Sequence, residues 1–224
     1  MKKVIALNLK TYAESTGAAG EVLWKLADEV AASSPQVEVI VCPQIPFLQQ
    51  AAWQLKHATL FAQSCDAARQ GQSTGAVTPE ALSAAGAAGT LVNHSEKKIA
   101  HTQVKEVVER CSKLGLRVVA CADTVEEGVA LARFSPWAVA VEPPELIGSG
   151  ISVSSAKPEL VKNSVKKIRE TSKNSLVLVG AGVSTAADVA KSVELGAEGV
   201  LLASSFVKAK EPKKLLREMV EGLE

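Results

Sequence analysis

Short apolar runs separated by longer amphipathic stretches recur eight times along this chain, and that recurrence limits its possible folds more than any other feature. The runs are VIALNLK (4–10), VEVIVC (37–42), TLFAQ (59–63), TLVN (90–93), RVVAC (117–121), WAVAVE (137–142), LVLVGAG (176–182) and EGVLLAS (198–204). They are rich in Val, Leu and Ile, and several lack the polar alternation of a strand with one wet face. Strands of that kind belong to parallel sheets covered on both sides.

Helical patterns fill the gaps. Val22, Leu23, Leu26 and Val30 recur at helical spacing, as do Val104, Val107, Val108, Cys111 and Leu114, which stop at Gly115, a natural C-cap. Pro158 suits the first turn of a helix whose stripe is Val161, Val165 and Ile168. STAADVAKSVELG (184–196) opens on a Ser/Thr cap and closes on Gly196, whereas TPEALSAAG (78–86) is a short, weak pattern. Eight strand–helix units in 224 residues predict an α/β fold, a closed (β/α)8 barrel forming one domain over residues 1–224. The alternative, an open doubly wound sheet, often carries a GxGxxG turn after its first strand. Here NLKTY follows instead, without a glycine. The end strands are also as apolar as the central ones, as expected of a sheet without edges.

Composition narrows the function. With 47% hydrophobic and 22% charged residues and a net charge of +1, the chain reads as an ordinary soluble globular protein. That charge gives no footprint for nucleic acid or an anionic membrane, and no apolar stretch approaches a membrane span. MKKVIALNLK begins with lysines and a short apolar run, but the run stops at Asn8 and Lys10 with no cleavage site, so it reads as the first strand. The four cysteines, Cys42, Cys65, Cys111 and Cys121, form no CxxC pair and no metal-ligand spacing. They read as buried reduced thiols of a cytoplasmic protein.

In a (β/α)8 barrel the chemistry sits where the strands end. The first run ends in Asn8 and Lys10, the fourth in Asn93, His94, Ser95 and Glu96, the sixth in Glu142, the seventh in GAG (180–182) and the eighth in Ala203, Ser204 and Ser205. Each has an ordinary reading alone: a solvated loop lysine, a structural histidine, a capping serine, a glutamate paired with a lysine, a glycine turn. Together they face one mouth. The glycine and serine ends suit a phosphate held by backbone N–H groups. A carboxylate, an imidazole and an ammonium beside it suit proton abstraction next to a carbonyl, with no metal and no cofactor called for.

The stretch AVEPPELIGSG (140–150) sharpens this, because a strand that only packed a core would have no use for a glutamate at its tip. With NLK at 8–10, NHSE at 93–96, GAGVS at 180–184 and GVLLASS at 199–205, it resembles the triosephosphate isomerases over essentially the whole chain in order. The resemblance implies an aldose–ketose isomerase that interconverts glyceraldehyde 3-phosphate and dihydroxyacetone phosphate through an enediolate. It implies Glu142 as catalytic base, His94 as hydrogen-bond donor to the substrate oxygens and Lys10 as the charge facing the enediolate. Asn8 positions substrate, and backbone groups of Ile147, Gly148, Gly182, Ala203 and Ser204 hold the phosphate. Residues 143–150 take the place of a lid, with Gly148 and Gly150 at one hinge. Departures are Leu9 where an aromatic is common, IGSG with Ser149 where IGTG is usual, PPEL in the lid, and CADT after the fifth strand. With the short chain these resemble the compact archaeal branch, which implies a homo-oligomer, a tetramer in preference to a dimer. GQSTGAVT resembles the family's interdigitating loop, with Thr74 at its tip; His57 and His101 match nothing. Two other readings differ in kind. A phosphosugar epimerase would need metal-binding His and Asp at the strand ends, and a barrel that only bound a phosphorylated metabolite would need no base.

Overall fold

The structure, a computed structural model, describes residues 2–143 and 153–223. Eight parallel strands close into a barrel in sequence order: β1 (Lys3–Asn8), β2 (Val37–Cys42), β3 (Thr59–Ala62), β4 (Gly89–Val92), β5 (Arg117–Ala122), β6 (Ala138–Val141), β7 (Leu176–Val179) and β8 (Gly199–Leu202). Closure is direct, since β1 pairs with β2 on one side and β8 on the other, Leu7 lying opposite Val41 and Leu202.

Because side chains alternate across a strand, each strand sends one set inward and the other toward the helices. The inward set forms its own core: Val4 and Ala6, Ile40 and Cys42, Phe61, Leu91, Val119 and Cys121, Ala138 and Ala140, Leu176 and Leu178, and Leu201. The other set, including Ile5, Leu7, Val39 and Val41, packs under the helices. Two residues beyond Ala6 and Ala140 on the inward columns come Asn8 and Glu142. Parity alone therefore carries these two polar side chains to the top of the barrel's interior.

The helices follow the predicted stripes with two corrections. In α1 (Gly17–Ser33) the buried face is Leu23, Trp24, Ala27, Val30 and Ala31, and Val22 points to solvent at 56% exposure. In α4 (His101–Lys113) Val104, Val107, Val108 and Cys111 are buried, whereas Leu114 has already left the helix and is 39% exposed. Gly115 then takes φ 71°, the left-handed cap its position predicts. The weak pattern at 78–86 forms a short helix, α3 (Pro79–Ala84), whose N-cap Thr78 accepts from Ala81 N. Between β3 and β8 the remaining helices are α5 (Val125–Ala132), α6 (Val153–Ala156), α7 (Pro158–Thr171) and α8 (Ala186–Glu194). Helix α2 (Leu48–Gln54) precedes β3, and α9 (Ser204–Val207) and α10 (Pro212–Glu221) follow β8. All four cysteines are buried and free, and none of the described helices is long and apolar enough to cross a membrane.

Candidate active site

The carboxyl ends of the strands surround a cleft of about 440 Å³ lined by Asn8, Lys10, His94, Glu142, Gly182, Ala203 and Ser204, among others. The sequence placed all seven at strand ends, and the structure brings them together. Ile147, Gly148 and the lid segment with Ser149 lie outside the described residues.

Glu142 follows β6 directly. Its N–H donates to Ala122 O (2.7 Å), which anchors the backbone just where the ladder ends. The side chain is only 2% exposed, and its Oε2 has no hydrogen-bond partner among the described residues. Removal from water penalises the charged form and pushes the carboxyl up to about 7, although the Cys121 thiol and the Lys10 charge pull the other way. Room for this carboxylate comes from β7. A Cβ on Gly180 would sit 2.3 Å from Glu142 Cγ, so only glycine fits there.

His94 enters the mouth because Asn93, at the end of β4, adopts a left-handed φ of 57°, a conformation that asparagine tolerates better than most residues. Its Nδ1 accepts from Glu96 N (3.1 Å), which assigns the ring proton to Nε2. Burial lowers its pKa and the nearby Lys10 charge lowers it further. The imidazole is therefore neutral, with Nε2 3.7 Å from Glu142 Oε1. A neutral donor faces a carboxylate there, and the contact is not an ion pair.

Lys10 also has positive φ, 47°. Its backbone is fastened on both sides: its N–H donates to Asn8 Oδ1 (3.1 Å) and its carbonyl accepts from Gln63 Nε2 (3.0 Å). The ammonium meets Glu96 Oε1 at 2.7 Å, with the lysine side chain 11% exposed. Glu96 thus serves two residues at once, its N–H orienting His94 and its carboxylate holding Lys10. The NHSE motif brought it into view, but neither role follows from spacing, because Lys10 lies 86 positions away. Tyr12 also lines the cleft, with the Lys208 ammonium 4.5 Å over its ring, and the sequence carried no signal for it.

The loops after β7 and β8 complete the ring between Glu142 at the end of β6 and Lys10 after β1. Gly182 has φ 70°. Ser205 Oγ donates to Val183 O (2.9 Å), joining the two loops. Asp188 Oδ2 accepts from Ser184 N (3.0 Å) and Thr185 N (2.9 Å), fixing the turn that leads into α8. The result is a rigid concave backbone with small side chains, open to a close-fitting anion. No group of three or more His, Cys, Asp or Glu among the described residues could hold a metal ion. His57 and His101 are exposed and away from the cleft.

The comparisons with known proteins agree with this geometry. A family model described as "Triosephosphate isomerase" matches residues 3–219. The chain is 44% identical to a triosephosphate isomerase of Methanothermus fervidus over 98% of both chains. It is 43% identical to one of Methanopyrus kandleri, over 98% of this chain and 97% of that one. With one of Methanocaldococcus jannaschii it shares 40% identity over 97% of this chain and 99% of the relative.

Proposed function

The chain belongs to the triosephosphate isomerase family, and on that premise we propose how its residues divide the work of interconverting glyceraldehyde 3-phosphate and dihydroxyacetone phosphate. Glu142 removes the proton from the hydroxyl-bearing carbon next to the carbonyl and returns it to the former carbonyl carbon, while the hydroxyl proton passes to the former carbonyl oxygen. A carboxyl pushed up to about 7 is a far better base than one at the ordinary value of 4.5, and near neutral pH a large fraction is still ionised. As negative charge grows on the substrate oxygen, His94 donates from Nε2 without itself having to ionise. Lys10 offsets the same charge from across the cleft. Asn8 fixes the Lys10 backbone and contacts substrate. The phosphate lies on the backbone of Gly182, Ala203 and Ser204, with Ile147 and Gly148 assigned to the same task by the family resemblance.

One observation carries this reading: a buried carboxylate with an oxygen unpartnered among the described residues, 3.7 Å from a neutral imidazole donor, at the end of a cleft that also holds a lysine. The test is conversion in deuterium oxide. The parent enzyme gives product that carries solvent deuterium on the carbon that received the proton. Glu142→Gln should lose about 10³- to 10⁴-fold in kcat and exchange in parallel. Conversion at the parent rate would remove Glu142 from the mechanism.

The same reading treats residues 1–224 as one domain acting in the cytoplasm as a homo-oligomer, a tetramer in preference to a dimer. The loop 66–78 supports the assembly. Its base is closed by Asp66 N to Val77 O (2.8 Å) and Val77 N to Asp66 Oδ2 (2.8 Å), while Thr74 at its tip is exposed. Sedimentation equilibrium tests the assembly, and a monomer at micromolar concentration would overturn it.

A further inference from the structure

His94 and Glu96 sit on one side of the segment 93–101. The opposite side of that segment is gathered onto one carboxylate that does not line the cleft, Glu127 in the first turn of α5. Glu127 Oε1 accepts from Asn93 Nδ2 (2.9 Å) and from Lys98 Nζ (2.8 Å), and it lies 3.4 Å from His101 Nε2. Oε2 accepts from Lys98 Nζ (2.9 Å) and from the backbone N–H of Asp123 (2.7 Å), the residue that follows β5. The helix turn that presents it is itself capped, Thr124 Oγ1 accepting from Glu127 N (3.1 Å). One side chain thus joins the start, middle and end of the His94 segment to the neighbouring strand–helix unit.

Asn93 passes this on. Its Nδ2 also donates to Cys121 O (2.9 Å), and its Oδ1 accepts from Ile99 N (3.2 Å). Every polar atom of that side chain is engaged, and it belongs to the residue whose left-handed φ of 57° turns His94 into the mouth. A backbone conformation of that kind persists only where its surroundings fix it. Without the Glu127 carboxylate, Asn93 Nδ2 keeps one acceptor, and Lys98 keeps Asp123 Oδ1 at 3.1 Å. The segment then loses its attachment to α5 at Asn93, Lys98 and His101 together.

We propose that Glu127 is a positioning residue for catalysis, holding the 93–101 segment so that His94 Nε2 meets the substrate oxygen and Glu96 meets Lys10. The proposal rests on the reading that His94 donates to substrate. It differs from ordinary fold support because the phosphate loops after β7 and β8 lie across the cleft and have no share in the network.

The experiment compares Glu127→Gln and Glu127→Ala with the parent and with His94→Gln. Gln keeps the size and one acceptor oxygen but cannot accept from Asn93, Lys98 and Asp123 N–H together. Both Glu127 variants should lose roughly ten- to a hundredfold in kcat, the scale of a misplaced catalytic group, with KM and the dissociation constant of inorganic phosphate within about twofold of the parent. Nitrogen-15 spectra of the imidazoles should show His94 as the Nε2–H tautomer in the parent and a mixture of tautomers in the variants. The parent kcat in a folded Glu127 variant overturns the proposal. So does a rate loss matched by weaker phosphate binding with an unchanged His94 spectrum, which would mark general loosening. If Glu127→Ala fails to fold, Glu127→Gln decides. His94→Gln separates the premises. Should it keep the parent kcat, the histidine reading falls and the proposal with it. Should it be slow while Glu127→Gln is fast, only the proposal falls.

Discussion

The two ends of the barrel put the same kinds of side chain to opposite purposes. At the floor, where the strands begin, Glu38 Oε1 and Oε2 take Arg117 at 2.6 and 3.0 Å, and Thr59 Oγ1 adds a third bond at 2.9 Å. The guanidinium lies 4.5 Å over the Trp137 ring and 5.1 Å over Phe61. Burial raises the Glu38 carboxyl, but the hydrogen bonds and charge of Arg117 outweigh it and the net shift is downward. At the mouth Glu142 has neither a bidentate partner nor a neighbouring arginine among the described residues, and burial wins. A carboxylate whose surroundings complete it holds strands together. One left incomplete keeps its capacity for a proton and a substrate, and it carries a cost in stability.

Among the variants that separate the two ends, the largest expected effect is at Lys10. Lys10→Met should lower kcat/KM by about 10²- to 10³-fold, the usual scale for losing one electrostatic contact to a charge that develops in the transition state. Its melting temperature should stay close to the parent's. A Lys10→Met enzyme of normal activity would place that cation with the floor's structural charges.

Next in size is a gain in stability. The Glu142 carboxyl titrates near 4.5 when unfolded and about 7 when folded, so between those pH values the native chain holds a proton that the unfolded chain has released. Stability therefore falls as pH rises through that window, and the full cost is present above it. Glu142→Gln should be more stable than the parent by roughly 3 kcal/mol at pH 8 and by almost nothing at pH 4. Urea titrations at the two pH values check this, and equal midpoints at pH 8 would mean the carboxylate is not strained.

Arg117→Met runs the other way. Glu38 has a lowered carboxyl, so its stabilising share is present above pH 4.5 and disappears as pH falls through the lowered value. Removing its partly exposed partner should cost about 2 kcal/mol at neutral pH and leave kcat unchanged. A fall in kcat would show that the two ends communicate. Smallest is Gly182→Ala, which forces a side chain into φ 70°. A strain of about 1.4 kcal/mol there corresponds to roughly tenfold weaker phosphate binding.

What the sequence made legible follows the same division. Continuous apolar runs located all eight strands and thereby the strand-end polar residues. The runs nevertheless overshot: 176–182 reads as one apolar stretch, but the ladder of β7 stops at Val179. Glycine and alanine continue a hydrophobic pattern while the backbone has already turned away into the loop that follows β7. Glu127 was not legible, since it sits in an unremarkable helix start and acts on residues up to 34 positions away. Val22 was misplaced because i, i+1 spacing spreads over more of a helix than one neighbour can cover. Local periodicity places elements, whereas contacts between distant loops must be seen.

The pairing of β1 with β8 has a consequence for how the chain becomes an enzyme. Asn8 and Lys10 emerge in synthesis long before Ala203 and Ser204. A nascent chain that stops short of β8 lacks one wall of the cleft, so a growing polypeptide is inert until β8 is released and zips against β1. Appearance of turnover during translation is thus a clock for ring closure, readable without any structural probe.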